Sequence, residues 1–363
     1  MNDHDAALAV LAALPRQSPA RLRRVLAGGD PCEMLESIAA GGRPIVGLDP
    51  SVWAAWSSSV AMLRATVPGH CEAANIGVAL HGGEGYPPAL VGDPWAPPVL
   101  FMRGDARAVR RRRVGIVGTR HATRAGRAFA RVLGDERARA GVCVVSGLAR
   151  GIDVEAHAGA LAAESDGAPP VAVVASGCDT VYPPEHHRIW HDIAERGLIV
   201  SEAPPGTAPT ARMFPQRNRV LAGLSEILVV VESRARGGSM ITVREAAKRA
   251  IPVMAVPGAP TSPASEGTNL LLADGCAPVT DACDVLVALG LDTSRTGARV
   301  DTRVSPSSRG AEILAVLRGA AQTVDGIVLA TGFGALDVAV ALGRLEAQGW
   351  VAHADGWWES LPG

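Results

Sequence analysis

The chain has 363 residues and a mass of 37.3 kDa, enough for two or three domains of about 150 residues. With 48% hydrophobic and 20% charged residues it is globular rather than disordered. A formal net charge of -1 and a pI of about 6.8 exclude a uniformly basic, polycationic surface but not a local basic groove.

The first 70 residues read as a small all-helical domain. Segments 6–14, 20–27 and 33–39 are short amphipathic pieces broken by Pro15, Gly28-Gly29 and Gly41-Gly42, and Trp53, Trp56, Met62 and Leu63 continue a periodic apolar face. A Pro/Gly-rich stretch over 81–98 contains Tyr86-Pro87-Pro88 and Ala96-Pro97-Pro98 and reads as an ordered connector, because proline neither continues a helix nor donates to a central ladder. Residues 71–290 then form the second predicted domain. Short, mostly β-branched runs at 114–117, 142–145, 171–175, 198–201, 227–231 and 253–256 alternate with helix-length segments at 124–140, 153–163, 185–196, 217–224 and 242–250. Strands buried on both faces have this composition, and the alternation predicts an α/β fold with a parallel sheet and crossover helices. Residues 291–310, rich in Ser, Thr, Arg and Gly, read as a linker. Over 311–363, helical stretches at 312–317, 324–329 and 335–348 precede a hairpin with an Asp355-Gly356 turn, a winged-helix layout.

Several chemistries are excluded outright. Lys248 is the only lysine and lies in Ala246-Ala247-Lys248-Arg249, so there is no Gly-x-x-x-x-Gly-Lys phosphate loop and no P-loop motor. The six cysteines are scattered without a Cys-x-x-Cys pair, which removes zinc-ribbon and disulfide-scaffold readings. The acidic start Met1-Asn2-Asp3-His4-Asp5 lacks a signal-peptide layout, and no apolar run approaches the ~20 residues that span a bilayer. A reduced, cytoplasmic protein without membrane contact is the expectation.

In an open parallel sheet, ligands bind beyond the carboxyl ends of the strands. Here those ends carry Gly118-Thr119-Arg120-His121, then Ser146-Gly147-Leu148-Ala149-Arg150-Gly151, then Ser176-Gly177, Ser201-Glu202 and Glu232-Ser233-Arg234-Ala235-Arg236-Gly237-Gly238-Ser239. Glycines let a backbone approach closely, helix N-termini offer N–H groups to anions, and arginine forks onto phosphate. The rim therefore suits a phosphate-rich ligand. Singly, each piece has a plain structural reading. Gly115-Ile116-Val117-Gly118 is not Gly-x-Gly-x-x-Gly, and Gly118 serves any βα turn. Asp153 and His157 share a helix face as an acid–base pair or, more simply, as a helix cap beside a hydrogen-bonded histidine. Thr242-Val243-Arg244-Glu245 fits a capping box. The segment Met213-Phe214-Pro215-Gln216-Arg217-Asn218-Arg219 reads equally as a core Phe starting a helix or as a single-strand platform, the ring stacking a base while arginines hold phosphates.

Read together, these segments resemble the DprA/Smf family of DNA-processing proteins. The likeness rests on Tyr86-Pro87-Pro88, Val117-Gly118-Thr119-Arg120, Ser146 to Asp153 with His157, Tyr182-Pro183-Pro184, Phe214-Pro215-Gln216-Arg217-Asn218-Arg219, Gly238-Ser239-Met240-Ile241-Thr242, Val256-Pro257-Gly258 and Gly267-Thr268-Asn269, in order between Tyr86 and Leu286. The chain departs from the family's pattern where Leu14-Pro15 is followed by Arg16-Gln17-Ser18 instead of Gly-x-Gly, and where Gly237-Gly238-Ser239 replaces Ser-Gly-Ser. The resemblance implies an extended Rossmann-like domain behind a SAM-like helical one, and a homodimer through the Rossmann-like domain. It implies sequence-independent binding of single-stranded DNA, protection of incoming strands in natural transformation, and loading of RecA past single-strand-binding protein without ATP hydrolysis. By motif position, Arg120, Phe214, Arg217, Asn218 and Arg219 face the DNA, with Thr119 and Ser239 beside them. Gly118, Ser146, Gly147 and Gly238 line the floor, and Lys248 adds a weaker electrostatic contact. No catalytic residue, metal or cofactor is expected.

Two other readings compete. One is a nucleotide N-glycosidase resembling the LOG phosphoribohydrolases, with Glu245 as acid or base after Gly237-Gly238 and Thr242; its spacing is off by one residue. The other is a small-molecule phosphate sensor with a winged-helix output. The predicted reading helix 335–348 carries Asp337 and Glu346 against Arg344 alone, which suits protein contact better than duplex reading.

Overall fold

The computed structural model describes residues 1–163, 167–291, 303, 305–354 and 356–361, and its contacts divide the chain at residues 292 and 293 into two compact units. The first unit begins with α1 (Asp3–Ala13), α2 (Pro19–Leu26), α3 (Pro31–Ala39) and α4 (Pro50–Ala73). Ser18, Asp30 and Asp49 cap the last three through side-chain bonds to first-turn N–H groups, each with proline in the first turn, where its missing donor costs nothing. Leu8, Leu11, Trp53 and Trp56 form a core continuous with Phe101, Trp190 and Ile199 of the following segment, and the expected boundary at 70 falls inside α4.

Next come β1 (Ile76–Leu80), α5 (Pro88–Val91) and β2 (Val99–Gly104), two strands that the sequence reading did not include. The connector between them is ordered, as expected: the buried Tyr86 hydroxyl donates to the Pro97 carbonyl at 2.6 Å. The alternating units follow as β3 (Arg113–Val117), α6 (Arg124–Arg139), β4 (Cys143–Ser146), α7 (Ile152–Ala162), β5 (Val171–Val173), α8 (His187–Arg196) and β6 (Leu198–Ser201). They continue as α9 (Met213–Leu224), β7 (Ile227–Val230), α10 (Ser239–Ala247), β8 (Val253–Ala255), α11 (Glu266–Ala273), β9 (Ala277–Pro278) and α12 (Ala282–Ala288). The nine strands lie in the order β1-β2-β6-β5-β4-β3-β7-β8-β9. From β6 to β9 all pairings are parallel; β2 joins β6, and β1 joins β2, antiparallel. Successive β2 side chains enter opposite cores, Phe101 one and Leu100 and Met102 the other, as the two-residue period requires. The strand order reverses between β3 and β7, which opens a crevice at their carboxyl ends.

In the second unit α13 (Ser308–Gly319), α14 (Val324–Thr331) and α15 (Ala335–Ala347) enclose a core of Ile313, Ile327, Val338, Leu342 and Trp350. A hairpin of β10 (Val351–Ala354) and β11 (Trp357–Ser360) follows, and Gln322 bridges to Trp358. Asp355 of the expected turn and most of the 291–310 linker lie outside the described residues. Among the described residues no single helix is long and apolar enough to cross a membrane.

Candidate nucleic-acid interface

Glycines make the floor of the crevice possible. A Cβ on Gly118 would overlap Ile152, and one on Gly147 would overlap the Arg217 guanidinium. Gly151 turns at φ +79°, the left-handed region that favours glycine, and any side chain there would strike the Thr119 carbonyl. The β3 and β7 turns are tied together where the Thr119 N–H donates to the Glu232 carbonyl at 2.7 Å. Above them lies a cleft of about 880 Å³ that gathers Gly118, Thr119, Arg120, Phe214, Arg217 and Asn218, and on its other wall Gly238 and Ser239.

The aromatic part stands at the mouth. Phe214 lies in the first turn of α9, which starts at Met213, one turn earlier than the sequence reading put the helix. Pro215 is accommodated because it falls in the first turn. The Phe214 ring lies 5.5 Å from Tyr182 and carries the Arg120 guanidinium at 5.0 Å. Tyr182 is exposed, and the turn after it is tethered to the β4 loop by His186 Nδ1 on the Leu148 carbonyl (3.0 Å) and by the Arg150–Glu185 ion pair. Sequence reasoning did not single out Tyr182 for this role; its signal is the same Tyr-Pro-Pro motif read there as family likeness.

The two helix N-termini at the crevice differ. That of α6 is filled: Glu232 reaches across from β7, accepting the Thr123 N–H at 2.9 Å and the Thr123 hydroxyl at 2.5 Å. Its carboxyl group occupies the space that a side chain at residue 126 would need, which leaves Gly126 as the fit. That of α10 is open. Gly238 precedes it without any side-chain cap, and the Ser239 hydroxyl turns back to Ser233 at 2.7 Å. The N–H groups of Met240 and Ile241 bond back to the Gly237 and Gly238 carbonyls at 3.1 Å each, so what favours an anion there is the helix dipole, which no acidic side chain offsets.

The arginines divide in the same way. Arg217 is buried; its Nη1 donates to the Val173 carbonyl at 2.7 Å beside Asp153. Burial pulls its pKa down to about 10 against the attraction of Asp153. Burial pushes Asp153 up to about 6, opposed by Arg217 and by backbone N–H groups that include Gly147 at 3.2 Å. His157, one turn further along α7, is sealed in the core, and burial drives it down to about 3, so it is neutral. A sealed neutral imidazole cannot exchange protons with the cleft, which removes the acid–base reading. Asp153 is not the N-cap either, since Gly151 holds that position. Arg219 lies outside the cleft, paired with Glu202 and bonded to the Trp95 carbonyl. Ser146 lies beneath the floor, fully buried, its hydroxyl donating to the Ile116 carbonyl at 2.6 Å. Lys248 is on the far end of α10, paired with Glu245 at 2.7 Å.

Arg120, Arg234, Arg236 and Arg212, by contrast, are exposed and have no ion pair among the described residues. Arg120 and Arg234 line the cleft. Arg212 and Arg234 were absent from the expected contacts, because nothing in composition separates them from any solvated arginine.

Glu245, the acid or base of the glycosidase reading, is outside the cleft. Helix α10 starts at Ser239, so Thr242 is inside the helix and no capping box forms; Glu245 turns to Lys248 and to Arg249, both contacts at 2.7–2.8 Å. Burial would raise its pKa, but those two cations hold it below the ordinary glutamate value, the reverse of what a general acid needs. Among the described residues no group of three or more His, Cys, Asp or Glu is placed to hold a metal.

A family model described as DNA recombination-mediator protein A matches residues 77–290. The chain is 33% identical over 280 residues to protein Smf of Escherichia coli K12, covering 75% of this chain and 74% of that one. It is 37% identical over 194 residues to the DNA processing protein DprA of Bacillus subtilis, covering 53% and 64%. Among solved structures, DprA from Streptococcus pneumoniae superposes with a TM-score of 0.66 at 28% identity, over 79% of this chain and 98% of that one. The Helicobacter pylori protein, solved to describe its binding of single-stranded DNA, superposes with a TM-score of 0.53 at 28% identity, over 60% and 97%.

Proposed function

Given that the chain belongs to the DprA family of DNA recombination-mediator proteins, we propose that it binds single-stranded DNA in the β3/β7 cleft without reading sequence. The observation that carries this reading is the trio at the mouth: an exposed tyrosine, a phenylalanine and an unpaired arginine stacked on it, beside an uncapped helix N-terminus. Rings stack any base, and Arg120, Arg234 and the α10 N-terminus take phosphates. Gly118, Thr119, Gly147, Asn218 and Ser239 shape the walls, and Arg217 holds the floor rigid. In keeping with the family, the bound strand is handed to RecA in place of single-strand-binding protein, without ATP hydrolysis, by a cytoplasmic homodimer formed through the Rossmann-like domain. The unit over 311–363 acts as a winged helix for protein contact, since α15 exposes Leu336 and Val340 and offers no basic face.

The test is fluorescence anisotropy of a labelled oligonucleotide, single- against double-stranded, over a salt series, comparing wild type with an Arg120→Ala, Arg234→Ala variant. The expected result is preference for the single strand and at least a ten-fold loss (about 1.4 kcal/mol) in the variant. The salt slope should fall by about 0.7 for each phosphate contact removed. Binding indifferent to both arginines would sink the site.

A further inference from the structure

Trp95 is an unusual side chain to leave in water. It is 46% exposed, on a backbone segment held by hydrogen bonds at several points. The Trp95 backbone N–H donates to Asp93 Oδ1 at 2.9 Å, its backbone carbonyl accepts from Arg219, and the next carbonyl, of Ala96, accepts from Arg23 at 2.6 Å. Beneath the indole lies the Arg249 guanidinium, 5.2 Å from the ring centroid, itself buried and ion-paired with Asp93 and Glu245 at 2.8 Å each. The ring thus has a buried cation against it while the residue stays half open to solvent.

Its position relative to the cleft follows from helix geometry. Pro215 lines the cleft and Arg219 lies one turn below it on the same face of α9, where it meets Trp95. On α10, Ile241 and Thr242 line the cleft, Glu245 is a turn further, Lys248 is the C-cap, and Arg249 just beyond it lies under the indole. From Thr242 to Arg249 is about 10 Å along the helix, a span of a few nucleotides. Lys248, which has no place in the cleft, is exposed at this far end.

Resting on the single-strand reading of the cleft, we propose that Trp95 is a second base-stacking platform, on which a strand leaving the cleft across the α9–α10 surface is stacked again, with Lys248 beside it for a phosphate. The cation beneath the ring enriches the arrangement already present at Phe214 and Arg120.

The test uses the full-length protein and oligothymidylates from about 4 to about 16 nucleotides, the range of single-strand site sizes. Trp95→Ala is expected to weaken binding about ten-fold on the longest strand and to leave the shortest unchanged, with Trp95→Phe recovering most of the loss. Strands carrying 5-iododeoxyuridine at successive positions should photocrosslink to Trp95 only at positions beyond those that crosslink to Phe214. Trp95→Ala matching wild type at every length, while Phe214→Ala binds weakly, would overturn the second platform and leave the cleft reading standing. Indifference to both substitutions would remove the cleft reading itself. An equal loss at all lengths that Trp95→Phe does not recover, or a change in oligomeric state with DNA binding intact, would make Trp95 a structural or protein-contact residue and overturn the proposal. Should Trp95→Ala fail to fold, Trp95→Phe and the crosslinking positions decide.

Discussion

Arg217 and Arg120 border the same cleft and share one helix as support: α9 carries Arg217, and its Phe214 ring lies 5.0 Å from the Arg120 guanidinium. Arg217 is buried against Asp153 and the Val173 carbonyl; Arg120 is exposed and unpaired. The helix ends repeat the contrast. Glu232 fills the N-terminus of α6, and no side chain caps that of α10. On the inner wall each charge already has its counter-charge within the protein; at the mouth the counter-charge has to come from outside. A binding function therefore belongs to the mouth, and the wall is what keeps the mouth in shape.

The contrast can be broken from the wall side. The largest effect is expected from Arg217→Ala, which removes a buried guanidinium with its bond to the Val173 carbonyl and its attraction for Asp153, and should cost about 1.5–3 kcal/mol of stability, read as a lowered urea midpoint. If Arg217→Ala were as stable as wild type and only DNA binding fell, Arg217 would belong with the mouth.

Acid titration sharpens the comparison at the next level, because the wall holds two groups displaced in opposite senses. Asp153 has its folded pKa raised to about 6, above the ordinary 3.8, so its contribution favours folding at low pH and is lost as pH rises through that window. His157 has its folded pKa lowered from 6.5 to about 3, so its contribution is full above 6.5 and is lost as pH falls. Between about pH 4 and 6 the two slopes oppose each other. Relative to wild type, Asp153→Asn should lose stability as the solution is acidified across this window, and His157→Phe should gain it. Urea midpoints at several pH values measure both; parallel curves for all three proteins would mean that neither group is displaced as described.

The smallest effect is expected from Ser146→Ala. It removes one buried hydroxyl bond to the Ile116 carbonyl, worth about 1 kcal/mol of stability, and should leave single-strand affinity unchanged in the anisotropy assay. A clear loss of affinity would move the floor of the site one layer deeper.

The parallel core was legible because β-branched runs such as Ile227–Val230 are buried on both faces and carry no competing pattern. The strands β1 and β2 were not, since Gly77 and the proline-rich connector mask them and they join the sheet's margin antiparallel, β2 on β6 and β1 on β2. The sequence places this helix over 217–224, whereas α9 starts at Met213, with Pro215 tolerated in its first turn. That four-residue difference decides the site. It turns Phe214 from a loop residue into a helical one, directs Arg217 inward and Arg219 sideways, and leaves Asn218 facing the cleft. The motif was legible, but the division of labour within it was not, because residue type does not distinguish an arginine that holds the protein together from one that awaits a ligand.

The carboxylate of Glu232 has a consequence for competition from ATP, NAD and their relatives. In doubly wound sheets the helix that follows the strand at the switch point is where such metabolites lodge their pyrophosphate. Here that berth is permanently taken by the protein's own side chain, and Gly126 keeps it so. Abundant monomers are thereby denied their customary mooring, and a polymer, which gains by touching several places at once, competes against fewer rivals.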